Sequence, residues 1–370
     1  MAESVSTKME GKTSHKGKKF RVAIIGCGGI AQTHLDAYQK LLPEVEIVAG
    51  VDILPERLDV MHEKWGVPRD ALFSDWKTML KKIKPDAVDV CTPNGVHCQP
   101  VVDACNAGCH AMVEKPMAMT PAECEKMIAA AEKNKVKLAV GFQQRYCDKS
   151  AALAKSRENS VFGDIMFVEV KALRRRGIPN WGVFGQKELQ GGGPLIDIGV
   201  HMLECAYEFM GSPKPVAASA NCWTYMGDKP SDTLSPWPGW DWKTYTVEDL
   251  AVGQIRFENG ALLQIRSSFA THIKETEVHN WTAIGTKGGC SWDTAEIYSD
   301  TNGMMVNAVP AFTGKSDWAS LFGRKLKNWV TACMKGTELD ASGYDGFAVQ
   351  KMLDALYRSA AVNGKEVTIK

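Results

Sequence analysis

What this sequence lacks narrows the field first. No apolar run approaches the roughly 20 residues that cross a bilayer, so no membrane span is expected. No charge of one sign dominates. Forty-four Lys and Arg stand against 43 Asp and Glu, a net of +1, which gives no electrostatic reason to expect nucleic acid or an anionic membrane surface as partner. No CxxC pair occurs. The eleven cysteines are odd in number and dispersed, and Cys91, Cys105 and Cys205 sit within apolar runs. That suits reduced, buried thiols and a cytoplasmic setting better than a disulfide framework or a structural zinc. Residues 1–19 lack an apolar h-region, so they do not read as a secretory signal. Their basic HKGKK patch fits a solvated, disordered leader better than a nucleic-acid arm.

What is present suits two globular domains. The chain has 370 residues, 45% of them hydrophobic, enough for substantial cores. From Phe20 short apolar runs alternate with amphipathic stretches: FRVAIIG, IAQTHLDAYQKLL, VEIVAGVD, PERLDVMHEKWG, DAVDVCTP, HCQPVVDACNAG, HAMVEKP, TPAECEKMIAAAEKNK, KLAVGF. Strands alternating with helices at this spacing imply βαβ units and a doubly wound parallel sheet over residues 20–142. Beyond that the pattern turns to strand-like runs with hairpin punctuation, such as Asn259–Gly260, and to helices expected near 196–210, 317–335 and 343–363. Residues 143–370 are expected to form an α+β domain on a large, open, mostly antiparallel sheet. No internal repeat is apparent.

The first turn, GCGGIA, places Gly26, Gly28 and Ala31 in a G-x-G-x-x-A pattern, with Gly29 and Ile30 between them. Gly26 permits the tight turn and Gly28 a close approach to a pyrophosphate. Ala31 lets the helix pack on the strand, and the helix start offers free N–H groups. Asp52 ends the second strand, where a carboxylate accepts ribose hydroxyls. It repels a 2′-phosphate, and Ile53 follows rather than a phosphate-binding residue, so NAD is favoured. Arg57, a helical turn on, is placed to stack on adenine and keeps NADP as the lesser choice.

Two further stretches carry chemistry. In EKPMAMT, Lys115 ends a strand at the edge where open α/β sheets bind ligands, and Pro116 turns the chain away there. The preceding strand delivers Thr92, Asn94 and His97 to the same edge. In GGGPLIDIGVH, three glycines allow backbone to approach a ligand, and Asp197 and His201 stand four apart on the expected helix. An acidic neighbour there would orient the imidazole and raise its basicity, as general acid–base work requires. A metal site of Asp197, His201 and Glu204 lacks a third ligand at convincing spacing. No metal is expected.

Together GCGGIA, TPNGVH, EKP, GGGPLIDIGVH, VEDLAVGQIRFENGALL and ALYRSAAVNGKEV resemble the Gfo/Idh/MocA family of oxidoreductases from about Phe20 onward. The resemblance implies NAD(P)-dependent oxidation or reduction of a sugar, cyclitol or related polyol. It implies Lys115, Asp197 and His201 as the catalytic group. Cofactor contacts would come from Gly26, Gly28, Ile30, Asp52, Thr92, Asn94, His97, Glu114 and Lys115. It also implies a homodimer or homotetramer formed through the open sheet. On the substrate side, Arg145, expected also at the cofactor, and Trp181 lie at the domain junction. The segment 223–242 carries Trp223, Trp237, Trp240 and Trp242, residues that stack on sugars or fill a subunit interface. Two rivals stand beside a net dehydrogenase. One is an NAD-dependent glycosidase that oxidises C3, eliminates the aglycone and recycles NAD. The other, a non-catalytic NAD sensor, sits badly with an intact Lys115, Asp197 and His201.

Overall fold

The structure, a computed structural model, describes residues 18–314 and 316–370. Most of the leader read from the sequence, residues 1–17, lies outside the described residues.

Strands β1 (Phe20–Ile25), β2 (Val45–Val51), β3 (Leu72–Phe73), β4 (Ala87–Val90), β5 (His110–Val113) and β6 (Leu138–Val140) form an all-parallel sheet in the order β3-β2-β1-β4-β5-β6. The connecting helices are α1 (Gly29–Leu41), α2 (Pro55–Trp65), α3 (Trp76–Ile83), α4 (Cys98–Asn106) and α5 (Pro121–Asn134). Alternate residues of β1 enter opposite cores: Ala23 and Ile25 pack with Val101, Ala104 and Met127, and Val22 and Ile24 with Leu35 and Tyr38. A strand covered on both faces needs a continuous apolar run, which FRVAIIG supplies. The chain order reverses between β1 and β4, and a ligand crevice opens at their carboxyl ends.

After α6 (Asp148–Glu158), strand β7 (Ile165–Arg174) begins the second sheet. Helices α7 (Lys187–Gln190) and α8 (Val200–Phe209) follow. Then come β8 (Pro215–Trp223), β9 (Leu250–Phe257), β10 (Leu262–Ser268), β11 (Glu277–Gly285), β12 (Gly288–Ser291), β13 (Glu296–Thr301) and β14 (Met304–Ala308). The chain closes with α9 (Trp318–Lys335), α10 (Gly343–Ala361) and β15 (Val367–Thr368). The nine strands run β14-β13-β12-β11-β7-β10-β9-β8-β15, with β7 and β10 the parallel pair in an otherwise antiparallel sheet. The Asn259–Gly260 turn joins β9 to β10, with Gly260 in the left-handed region that such a turn needs.

Three short elements have little sequence signal: β3, α3 and α6. Helix α3 runs eight residues from an Asp75 cap, and α6 buries only Ser150 and Leu153. A larger surprise is α9. Its Phe322, Leu326, Trp329 and Val330 share one core with Phe20, Val22 and Leu35, so the end of the chain returns to the first sheet. No helix among the described residues is long and apolar enough to cross a membrane.

Candidate active site

The crevice begins at Gly26. Its φ of +87° is left-handed, and a Cβ there would stand 2.7 Å from the Cys91 carbonyl carbon and the Thr92 nitrogen. Only glycine fits where the turns after β1 and β4 cross. Helix α1 starts at Gly29 with no side-chain cap, so its first N–H groups point free toward that turn. Asp52 is buried and accepts hydrogen bonds from the Cys27 N–H (2.8 Å) and the Leu54 N–H (3.0 Å). A carboxylate has about four acceptor positions, so it retains capacity for a ribose. Arg57 Nη1 lies 3.4 Å from Asp52, over Gly28, while Ile53 is 82% exposed beside them. Thr92 Oγ1 is buried without a partner. A free helix terminus, a glycine cradle, a strand-end carboxylate and an orphaned hydroxyl fit an adenine dinucleotide.

At the far end of the crevice Lys115 meets Asp197. The Lys115 ammonium donates to the Asp197 carbonyl (2.9 Å) and to its Oδ1 (3.0 Å), and each side chain is 15% exposed. Two motifs of two different domains thus close on one another. The loop behind Lys115 is fixed by Thr120, which caps α5 in a reciprocal pair with Glu123, and by Gln350, which donates to the Met119 carbonyl at 2.8 Å.

The expected Asp197–His201 pair is corrected. Residues Leu195–Gly199 form a π-helical turn ahead of α8, whose wider winding breaks the α-helical stacking of i and i+4. Asp197 turns its carboxylate to Lys115, and His201 Nδ1 is buried with no partner. Its basicity is lowered, not raised: burial pushes the imidazole well below the usual histidine range, and the Lys115 charge pushes it further. His201 is therefore neutral near pH 7.

Four other expected contacts are committed elsewhere. His97 is buried, with Nδ1 2.9 Å from the Pro116 carbonyl and Nε2 2.8 Å from the Thr92 carbonyl, so its ring braces the two loops rather than facing a ligand. Asn94 donates to the Gln190 carbonyl (2.9 Å) across the domain junction. Glu114 turns its side chain inward to Lys325 of α9 (2.5 Å) and His34 (3.0 Å), and its N–H donates to the Val90 carbonyl (3.0 Å). Against its burial, Lys325 and His34 hold that carboxyl well below the usual carboxylate range. Arg145 is tied to Glu204, to the Asp340 carbonyl and to Asp345, so that each of its three guanidinium nitrogens is engaged within the protein. Trp181, by contrast, stands half exposed at the rim.

Sequence reasoning missed three groups. Buried Glu248 accepts from the Gly193 N–H (2.9 Å), the Leu195 N–H (3.2 Å) and the Tyr357 hydroxyl (2.8 Å), and so pins the glycine run that carries Asp197. A Cβ at Gly192 would meet the Tyr357 oxygen at 2.1 Å. The paired acids of VED, ahead of an apolar strand, were the available signal. Lys325 gave none beyond lying on the apolar side of α9. His279, on β11 opposite Ala172, lies in the field of Asp197 and in turn lowers His201. Burial lowers its own basicity.

Fold and crevice define a two-domain nucleotide-binding enzyme in which Lys115 and Asp197 meet at the junction of a parallel and a mostly antiparallel sheet. The chain belongs to the Gfo/Idh/MocA oxidoreductases: residues 20–142 match the family's NAD-binding Rossmann fold and residues 158–369 its C-terminal alpha/beta domain. It is similar to D-glucoside 3-dehydrogenase of Escherichia coli K12, 36% identical over 94% of this chain and 97% of the relative. The crystal structure of aldose-aldose oxidoreductase from Caulobacter crescentus, complexed with glycerol, superposes with a TM-score of 0.77 at 26% identity. That match covers 95% of this chain and all of the other. GenD2 from gentamicin A biosynthesis, solved in complex with NAD, gives a TM-score of 0.77 at 25% identity over 97% of this chain and 99% of its own.

Proposed function

We propose that the protein is an NAD-dependent dehydrogenase acting on a secondary hydroxyl of a D-glucoside or a closely related sugar. One observation carries the reading: Lys115, at the end of the nucleotide crevice, is held by Asp197 beside a neutral, half-buried His201. The similarity to a D-glucoside 3-dehydrogenase supports the substrate class. Asp52 and exposed Ile53 favour NAD over NADP, because a 2′-phosphate would meet the Asp52 carboxylate and the one cation beside it, Arg57, is already paired with that carboxylate at 3.4 Å. Residues 20–142 would hold the nucleotide and 143–370 the sugar.

Lys115 anchors the reacting hydroxyl and favours its alkoxide form. Asp197 holds the ammonium in place through two acceptors, so its charge is fixed before the substrate arrives. His201 receives the hydroxyl proton. Its depressed basicity suits this role because Lys115 makes the hydroxyl more acidic at the same time. Bound NAD supplies the hydride acceptor. Glu248 holds the main chain under Asp197, and His97 ties the Thr92 turn to the EKP turn.

The test mixes purified protein and NAD with methyl D-glucoside, free sugars and inositols while absorbance at 340 nm is followed. NADH accumulating with the glucoside supports the reading. No net NADH with any of them overturns it. Aglycone release from a chromogenic glucoside without NADH would revive the redox-neutral glycosidase.

A further inference from the structure

The inner face of the second sheet continues past the reacting centre. Val168, Val170 and Ala172 point inward from β7, and Arg174 extends that face by one more step. The register sets Ala172 beside Ser267 on one side and His279 on the other, and Arg174 opposite Glu277. Ser267 donates to the Pro194 carbonyl (2.7 Å) at the entry to the Asp197 turn, which fixes this as the face beneath the reacting groups. Arg174 therefore lies about 7 Å further along the strand than His279.

Two tryptophans stand there. The Arg174 guanidinium packs over the Trp237 ring at 4.8 Å, and Trp237 meets Trp181 edge to face at 4.8 Å and 89°. Trp181 remains 49% exposed. The arrangement is built rather than incidental. Fully buried Asp249 accepts from the Met226 N–H (2.6 Å) and the Gly227 N–H (2.9 Å) at the root of the tryptophan loop. Trp240 Nε1 donates to the Gly227 carbonyl (2.8 Å), and Asn180 ties the Trp181 segment to the Pro238 carbonyl (2.8 Å). A half-exposed indole packed edge to face on a tryptophan of a carboxylate-anchored loop keeps a flat apolar face toward solvent.

We propose that Trp181 and Trp237 form a second subsite that takes a ring joined to the reacting sugar through its glycosidic oxygen, an aryl aglycone or a further sugar. The shared chemistry is a flat face of C–H or aryl groups laid on indole. Arg174 sets the Trp237 ring in place, and the tie at Glu277 (3.1 Å) sets Arg174. The inference rests on the glucoside reading given above.

The test compares kcat/KM for phenyl, glucosyl and methyl D-glucosides of one anomeric form, using the full chain with NAD. A ring-bearing substrate should exceed the methyl glucoside by about threefold to tenfold, the worth of one aromatic contact. In Trp181→Ala that ratio should fall toward one, and in Trp181→Phe most of it should survive. Preference for phenyl alone assigns the subsite to an aryl aglycone, and preference for both assigns it to any ring. A ratio near one in the parent, or an unchanged ratio in Trp181→Ala, overturns the proposal. Calorimetric binding of the phenyl and methyl glucosides to the NAD-loaded chain separates the two readings. Preferential phenyl binding without oxidation overturns the dehydrogenase and upholds the subsite.

Discussion

Replacing Lys115 with Met removes the charge and keeps most of the stem. The side chain is 15% exposed, so its packing is largely retained and the loss falls on the ammonium. A single preorganised donor aimed at a developing oxyanion is worth about 2.7–4 kcal/mol, so kcat should fall by roughly 10² to 10³. A second consequence is specific to this site. After burial, the Lys115 charge is the largest influence depressing His201. Without it the imidazole regains basicity. In the proposed mechanism His201 is the base and works only when deprotonated, so activity is lost as pH falls through its pKa, and in Lys115→Met that acid limb should move to higher pH. NADH production from about pH 5 to pH 9 measures both effects, and a fluorescence titration of NAD checks that the cofactor still binds. A kcat within about tenfold of the parent, or an acid limb that moves down, would refute the reasoning.

Lys325→Met strands the Glu114 carboxylate, 5% exposed, beside His34. An uncompensated buried charge costs about 3–5 kcal/mol, which urea unfolding at pH 7 should register; a loss under about 1 kcal/mol would show that the ion pair is not needed. Gly26→Ala forces a side chain into left-handed backbone 2.7 Å from Cys91, so it should lower Tm and weaken NAD binding together, and an unchanged Tm with normal NAD affinity would contradict the cradle. Burial holds His97, His201 and His279 below the usual histidine pKa. The unfolded chain then takes up protons first, so their contribution is complete above about pH 6.5 and is lost as pH falls through their folded values. The slope reaches about 1.4 kcal/mol per pH unit for each group. His201→Gln should flatten the acid side of a denaturant series, and an identical slope would count against a buried neutral imidazole.

The glycine turn, Asp52, Lys115 and the run leading to Asp197 were legible because each is a local pattern: a strand end, a tight turn or a helix start. Their convergence followed from topology, since β1, β4 and β5 end at one edge. What stayed hidden depends on pairings across the chain. The Glu114 side chain sits where a cofactor contact was expected until Lys325 is placed 2.5 Å away from a helix 211 positions on. Arg145 and His97 are polar residues at the correct edge, and only the positions of Glu204, Asp345 and the two loop carbonyls show them to be ties. Asp197 and His201 stood at helical spacing, and the π-helical turn that aims Asp197 at Lys115 leaves no mark in apolar periodicity. His279 is one inward position on a strand whose register no local signal sets.

The most direct test supplies methyl D-glucoside deuterated at C3 together with NAD and follows the label. The account predicts reduced nucleotide carrying deuterium at nicotinamide C4, one equivalent per oxidised glucoside, formed roughly 10² to 10³ times more slowly by Lys115→Met. Consumption of the glucoside with no labelled reduced nucleotide in solution would contradict it.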